Sequence, residues 1–200
     1  MGHGTSQLGR PREFEEAEAL AQATSAFWSL GYAGTSYAVL ENATGLHRQS
    51  LRYAFGDKAA LFERVVSDYT DKKVGHVVER LRRPGPALAN IRAVFEIWAA
   101  DADHPSRRGC LMVNAMAELG ATDGAAVRAI ERANDRLIAG FESAFAAARR
   151  AGEVRAELDP HVLAVQALTL GDGLMLQSRS GAAGRVARQV FDAFLDQIAA

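Results

Sequence analysis

Residues 35–58, TSYAVLENATGLHRQSLRYAFGDK, decide the fold of this chain. Two short helical segments are separated there by Gly45, and a residue without a Cβ atom lets a chain reverse within a few positions. Thr35 or Ser36 can cap the first segment, because a hydroxyl accepts hydrogen bonds from the free amides at a helix start. The order of helix, tight turn and helix predicts a helix-turn-helix.

The second helical segment is rich in polar side chains that could contact DNA. Arginine pairs with the O6 and N7 atoms of guanine, and glutamine pairs with the N6 and N7 atoms of adenine, so Arg48 and Gln49 are candidate base readers. We expect phosphate contacts from other residues near this segment and from a basic arm before the first helix. The full set of predicted DNA-binding residues is Arg10, Arg12, Thr35, His47, Arg48, Gln49, Ser50, Arg52, Tyr53 and Lys58. The alternative is a solvated polar helix face.

This stretch resembles the DNA-binding segment of the tetracycline-repressor (TetR) family of bacterial transcription factors. The match covers about residues 10–66, and it departs from the usual family pattern at three positions. Glu41 replaces a small residue, His47 replaces a Ser or Thr cap, and Arg52 replaces a Tyr. The residues that carry the resemblance are Gly31, Tyr32, Thr35, Leu40, Gly45, Leu46, Ser50, Leu51, Phe55, Lys58, Leu61 and Phe62.

The remaining chain reads as a succession of helices. Apolar residues recur at helical spacing, and Gly and Pro residues separate the segments. We therefore predict an all-α protein of about nine helices. An N-terminal three-helix domain with the helix-turn-helix would span residues 10–66, and a larger helical bundle for effector binding and dimerisation would span residues 67–200. The predicted helices include 13–30, 87–102, 108–119, 125–151 and 184–198.

Composition narrows the classes of function. The single cysteine excludes an internal disulfide and fits a reducing cytoplasm. The sequence has neither an apolar run long enough for a membrane span nor a signal-peptide core. The five histidines lack metal-ligand spacing, and no phosphate loop or nucleophile elbow is present. We expect a cytoplasmic protein that is not an enzyme and holds no metal or cofactor. The net charge of −1 counts modestly against nucleic-acid binding, so the placement of charge must carry that function.

The last two helices are apolar over more than one face. Gly171 and Gly173 could allow a close helix approach, and a helix-turn-helix protein usually binds DNA as a two-fold dimer. The resemblance implies the same homodimer, whereas the alternative is packing within one chain. The predicted interface residues are Leu168, Leu174, Val190, Phe191, Phe194, Leu195 and Ile198.

Large and adaptable apolar side chains with a few polar groups mark the central helices. Composition alone favours a plain core, but the TetR resemblance implies a cavity for a small-molecule effector. The candidate effector-binding residues are Phe95, Trp98, Met112, Asn114, Met116, Phe141, Asp172 and Met175. Cys110 lies beside Arg108, so it could be a redox-sensing thiol or a buried small hydrophobic residue.

We therefore predict a ligand-responsive transcriptional regulator that acts as a repressor. It would bind a palindromic operator as a dimer, and a small-molecule effector of unknown identity would release it. One alternative is a constitutive DNA-binding regulator with a filled core. A second alternative is an all-helical enzyme or adaptor whose helix-turn-helix has only a structural role.

Overall fold

The computed structural model describes residues 12–120, 124–181 and 184–200, and confirms the all-α fold class. The described residues form nine helices, most of which begin or end at helix-capping or helix-breaking residues. Their bounds are α1 Arg12–Gly34, α2 Tyr37–Thr44, α3 Arg48–Phe55, α4 Lys58–Leu81, α5 Ala87–Ala102, α6 Leu111–Leu119, α7 Ala125–Arg150, α8 Pro160–Ser178 and α9 Gly184–Ile198.

Local signals explain several helix ends. Gly31 has φ 74° and kinks α1 close to the predicted end of its regular part. Asp159 caps α8 by accepting hydrogen bonds from the amides of His161 at 2.7 Å and Val162 at 3.3 Å. Pro160 occupies the first helical position, where the amide that proline lacks is not needed.

The start of α6 differs from the prediction. The helix begins at Leu111, because Arg107 and Gly109 adopt positive φ angles of 49° and 64° that no α-helix contains. A Cβ atom on Gly109 would lie 2.7 Å from the backbone oxygen of Met175, so a glycine is required there. This is a tertiary constraint that the local sequence pattern does not contain.

Contacts divide the chain into two compact units whose boundary falls inside α4, between Val65 and Val66. In the N-terminal unit, α1 supplies Phe27 to a core that also includes Leu40 of α2 and Leu51 of α3. The rings of Phe27 and Phe62 pack edge to face with their centroids 4.9 Å apart. These contacts leave the polar side of α3 facing outward.

The core of the second unit is an aromatic cluster. Phe95 of α5 stacks on Phe191 of α9 with 4.3 Å between ring centroids, and Phe141 of α7 lies 6.1 Å from Phe95. The segment after α7 joins this core to the end of the chain. Glu153 accepts a hydrogen bond at 2.7 Å from the amide of Leu88 near the start of α5, and Val154 forms an antiparallel bridge with Ala199.

Candidate functional site

The corner between α2 and α3 is held by hydrogen bonds across a left-handed glycine. Gly45 has φ 69°, and its amide donates to the backbone oxygen of Glu41 at 2.9 Å. Ser36, rather than Thr35, is the cap of α2, because its hydroxyl accepts from the amide of Val39. The sequence left these two alternatives open.

The amino end of α3 is capped by a residue of the preceding helix. His47 occupies the N-cap position, but its side chain makes no capping hydrogen bond with any residue that the structure describes. Instead, the Glu41 carboxylate accepts a hydrogen bond from the Arg48 amide at 2.7 Å. Sequence reasoning singled out Glu41 only as a departure from the family pattern, since a bond between residues seven positions apart depends on the turn.

The outward side of α3 carries most of the predicted DNA-binding residues. Leu51 is almost completely buried and anchors the helix to the core, whereas Tyr53 is 78% exposed. Exposed polar side chains occupy one continuous surface, made of His47, Arg48, Gln49, Ser50 and Arg52 together with Tyr53. The Arg48 guanidinium lies over the ring of Tyr37 with 4.4 Å to the centroid. Tyr37 is a contact that sequence reasoning missed.

Two predicted phosphate contacts behave differently. The Lys58 ammonium at the start of α4 lies 4.4 Å from the centroid of the Tyr32 ring, and this cation–π contact holds it near the amino end of the helix. Thr35 is a correction: its side chain is fully buried and its hydroxyl donates to the backbone oxygen of Gly31 at 2.6 Å. Thr35 therefore has no exposed side-chain surface with which to contact a phosphate.

The predicted basic arm is described only at its last residue. Arg10 lies outside the described residues, and Arg12 is described only as the first residue of α1. The prediction that both contact DNA stays a prediction.

In the second unit, two candidate effector residues belong to the packed core. Phe141 is fully buried and Phe95 is 2% exposed, and both rings pack against other aromatic rings. These contacts agree with the plain-core alternative for this pair, since each ring is covered by its neighbours. Met112 and Met175 are also buried, and Met116 is half-buried.

Trp98 lies at the edge of the same aromatic cluster and reaches a groove. The groove has a volume of about 350 Å³, and α4 supplies most of its other wall residues, including Lys73, His76 and Arg80. On its other side the Trp98 ring is wedged against α8: a Cβ atom on Gly171 would lie 2.5 Å from it. Trp98 is therefore the candidate effector residue that lines this groove.

Asn114 and Asp172 are polar groups in apolar surroundings, as predicted. The Asn114 amide nitrogen donates to the backbone oxygen of Arg108 at 2.8 Å, whereas its buried oxygen has no hydrogen-bond partner within the described part of the chain. The buried oxygen of Asn134 also lacks one there. Burial raises the pKa of Asp172 to about 6. A ligand with hydrogen-bond donors could satisfy such acceptors.

The environment of Cys110 disfavours a reactive thiolate. Burial raises the pKa of its thiol, and the Tyr69 hydroxyl lies 3.6 Å from its sulfur atom. Because the thiolate is the form that oxidants attack, a protonated thiol points to the buried-hydrophobic alternative.

The predicted dimer interface needs a correction. Leu168, Leu174, Phe191, Leu195 and Ile198 are buried within the chain itself, so they have almost no surface left for a partner. Their burial is a consequence of α8 and α9 packing on the chain's own core with their most apolar stripes.

A second stripe on α8 and α9 faces outward. Val190, which is half-buried, and Phe194, which is 8% exposed and packs on Phe95, line a groove of about 520 Å³ beside this stripe. Exposed apolar residues recur beside it at helical spacing, and Gly173 faces open space. We call this surface the outer α8–α9 face; it comprises Val162, Val165, Thr169, Leu170, Gly173, Leu176, Val186, Val190, Ala193, Phe194 and Gln197.

Residues 12–120, 124–181 and 184–200 lack two kinds of feature. This part of the chain contains no group of three or more His, Cys, Asp or Glu residues placed to hold a metal ion. None of its helices combines the length and the apolar character that a bilayer span requires.

Comparison with known proteins decides the family. The family described as "Tetracyclin repressor-like, C-terminal domain" matches residues 87–194. An HTH-type transcriptional regulator of Bacillus subtilis strain 168, YezE, described as uncharacterized, is 33% identical over 151 residues, which are 75% of this chain and 78% of that protein. The chain belongs to the TetR family of transcriptional regulators.

Further relatives are consistent with this assignment. The HTH-type transcriptional repressor ComR of Escherichia coli K12 is 27% identical over 87% of this chain and 84% of its own length. Among solved structures, the TetR-family regulator CifR, a cysteine mutant complexed with a 26-base-pair operator duplex, matches with a TM-score of 0.81 and 27% identity. That alignment covers 95% of this chain and all of the CifR chain.

Proposed function

We propose that this TetR-family regulator is a repressor that binds a palindromic operator as a homodimer and is released by a small-molecule effector. The observation that carries the proposal is the surface of α3, where exposed polar side chains surround a single buried anchor, Leu51. A helix of this composition fits the major groove, where base edges present distinct hydrogen-bond patterns.

The proposed DNA contacts fall into two groups. Arg48 and Gln49 would read base edges, because their side chains are exposed near the amino end of α3. Ser50, Arg52, Tyr53 and the arm residues would contact phosphates and set the register of the protein on the duplex. His47 is exposed and could join either group.

The outer α8–α9 face supports the proposed dimer. It combines exposed valine and leucine side chains with Gly173 and Ala193, which allow two helices to approach closely. Two copies of this face related by a two-fold axis would form a four-helix interface. The dimer would then present two α3 helices to two half-sites of one operator.

Asp172, Asn114 and Trp98 support the proposed effector site. Burial of an acidic group without an ion pair in the described residues is costly, so such a group is often retained for function. These groups favour an effector with an apolar body and hydrogen-bond donors or a positive charge. If the effector prefers a different position of α4, it lowers the population that binds the operator.

A selection of random DNA duplexes with the wild-type protein tests the DNA-binding function. We expect an inverted repeat to be enriched, and a gel shift at controlled salt should confirm its binding. Arg48→Ala should lower affinity for the selected site by about fivefold to a hundredfold, since one bidentate base pair is worth ~1–3 kcal/mol. Loss of affinity by the same factor for every sequence would contradict the base-reading role, and failure to select any sequence would contradict the function.

The packed aromatic core also supports a second candidate, a constitutive regulator without an effector, because Phe95 and Phe141 fill space that a cavity would need. A thermal-shift screen of apolar and cationic compounds separates the two candidates. A true effector should raise the melting temperature, weaken operator binding and lose potency against Asp172→Asn. A complete screen in which no compound alters operator binding would favour the constitutive regulator.

A further inference from the structure

One helix start in the N-terminal unit depends on a distant residue. The first amides of any helix lack partners within the helix, and an N-cap side chain normally satisfies one of them. In α3 the N-cap residue, His47, does not do so in the described structure, and the Glu41 carboxylate bonds to the Arg48 amide instead. A charged acceptor there also interacts favourably with the helix dipole.

The same helix, α2, also holds the side chain of Arg48. The guanidinium lies 4.4 Å from the centroid of the Tyr37 ring, a distance typical of a cation–π contact. A cation–π contact uses no hydrogen-bond acceptor of the ring, so N–H groups of the guanidinium that point away from the ring stay available. An arginine held in this way can still donate two hydrogen bonds to the edge of a guanine.

Tyr37 and Glu41 are four residues apart on α2, so they lie on one face of that helix. We propose that they act as a pair of positioning residues for Arg48, and that capping by Glu41 leaves position 47 free to contact DNA. Tyr37 fixes the guanidinium, and Glu41 fixes the backbone from which it projects. This inference rests on the proposed docking of α3 in the major groove.

The proposal changes the role of position 47. An N-cap Ser or Thr is committed to the helix start, whereas the exposed imidazole of His47 is not. The residue at position 47 can therefore change, and the base preference with it, without loss of the helix, provided that Glu41 is retained. Position 47 is thus a specificity-determining position, and Glu41 allows its residue to vary by capping α3 in its place.

The experiment begins with the duplex that the wild-type protein selects from a random pool. Fluorescence anisotropy then measures the affinity of each variant for this duplex and for a scrambled duplex at one ionic strength. The ratio of the two affinities is the readout of specificity, and circular dichroism with thermal melting reports the fold. If the wild-type protein selects no sequence, the proposed function fails and the variants are not needed to reach that result.

Variants of Tyr37 test the contact between its ring and the Arg48 guanidinium. Tyr37→Leu should lower the specificity ratio by about two- to fivefold per half-site and relax the selected base opposite Arg48, because a cation–π contact of ~0.5–1 kcal/mol is lost. Tyr37→Phe retains the ring and should stay within about twofold of wild type. Equal losses on both duplexes in Tyr37→Leu, or an unchanged ratio, would overturn this half of the proposal.

Variants of Glu41 test its capping of α3. Glu41→Ala should lower the specificity ratio by about fivefold per half-site, because removing a cap usually costs ~1 kcal/mol of helix stability and only the selected duplex requires an ordered Arg48. Glu41→Gln should not, because its amide oxygen can still accept from Arg48. The double variant Glu41→Ala with His47→Ser should recover the melting temperature lost by Glu41→Ala and the specificity ratio of His47→Ser alone, since serine supplies a local cap. Without recovery, or with Glu41→Ala equal to wild type, the proposal is wrong. If Glu41→Ala does not fold, Glu41→Gln and the double variant still decide.

Position 47 has its own readout. His47→Ser in the wild-type background should alter the selected bases at one position of each half-site and leave the melting temperature unchanged, because Glu41 still caps α3. A lower melting temperature with unchanged base preference would show that His47 serves the helix rather than the DNA.

Discussion

Asp172 is a carboxyl group whose burial opposes its ionisation. Burial raises its pKa from 3.8 to about 6, so the folded protein binds this proton more tightly than the unfolded chain does. The folded state is therefore favoured most when the group is protonated, and stability falls as the pH rises from about 4 to about 6. Above that range the full cost of the buried carboxylate is present.

Replacing this group should reveal that cost. Asp172→Asn should stabilise the protein at pH 8 by about 1–2 kcal/mol, a value reduced for partial exposure of the side chain, and should have little effect at pH 4. Urea unfolding at one protein concentration and at both pH values measures the difference. Asp135→Asn, at an exposed position of α7, is the matched control and should have little effect at either pH. An equal gain at both pH values would contradict the role of ionisation.

Two glycines of α8 provide a second comparison of single residues. A Cβ atom at Gly171 would lie 2.5 Å from the Trp98 ring, whereas one at Gly173 would meet nothing within 4 Å. Gly171→Ala should destabilise the protein by about 1–3 kcal/mol through overpacking. Gly173→Ala should destabilise the protein less, because its Cβ atom meets no described atom of its own chain and alanine favours a helix by up to about 1 kcal/mol, which offsets a loss at the proposed dimer interface. Thermal unfolding of both variants tests the pair, and equal melting temperatures would contradict the observed packing.

At the scale of elements, α8 has two apolar faces with different tasks. Leu174 faces the core, and Val165 faces outward into the groove. An apolar face that is exposed in one chain is a candidate for burial in an assembly. In the proposed dimer, the interface is therefore the weaker of the two apolar stripes.

A charge on the outer α8–α9 face should separate the protomers. Val165→Glu should convert the dimer to a monomer, because two carboxylates would be brought together across a two-fold axis in an apolar interface. Light scattering after size exclusion measures the mass, and operator affinity should fall with it. Ile97→Glu, at an exposed apolar position of α5, is the control and should leave the mass unchanged. A Val165→Glu variant that remains a dimer would place the interface elsewhere.

The sequence predicts those elements whose determinants are local. The cap at Asp159, the break at Pro84 and the left-handed Gly45 depend on neighbouring residues, so local patterns suffice to place the corresponding helix ends. The start of α6 does not, because Gly109 is constrained by the backbone of α8. For the same reason, local periodicity detects two apolar stripes on α8 but does not say which one the chain itself buries.

The exposed side of α3, which is the proposed DNA-binding surface, agrees with the sequence in its composition, but its supporting contacts were not predicted. The exposed residues of α3 follow from the burial of Leu51, which helical spacing indicates. The phosphate contact predicted for Thr35 is wrong. The sequence pattern does not distinguish the two hydroxyls of Thr35 and Ser36, and the structure buries the first. The contacts of Tyr37 and Glu41 with Arg48 cross a turn, so they require the three-dimensional path of the chain.

At the scale of the whole molecule, the charge balance makes a prediction about salt. The chain has a formal net charge of −1, so attraction to DNA must come from a few placed cations and not from a general positive field. If each protomer neutralises about two to four phosphates, the logarithm of operator affinity should fall with the logarithm of salt concentration with a slope of about −4 to −7 for the dimer. Anisotropy titrations from low to high salt measure this slope. A value near zero would rule out phosphate contacts by the basic residues.

The division of the chain into two units has a consequence for optical measurements. The chain contains two tryptophans, and Trp28 lies in α1 of the N-terminal unit whereas Trp98 lies in α5 of the second unit. A Trp28→Phe protein would therefore emit from the second unit alone, and a Trp98→Phe protein from the first alone. The intrinsic fluorescence of these two proteins can follow the melting of each unit separately, without an added dye.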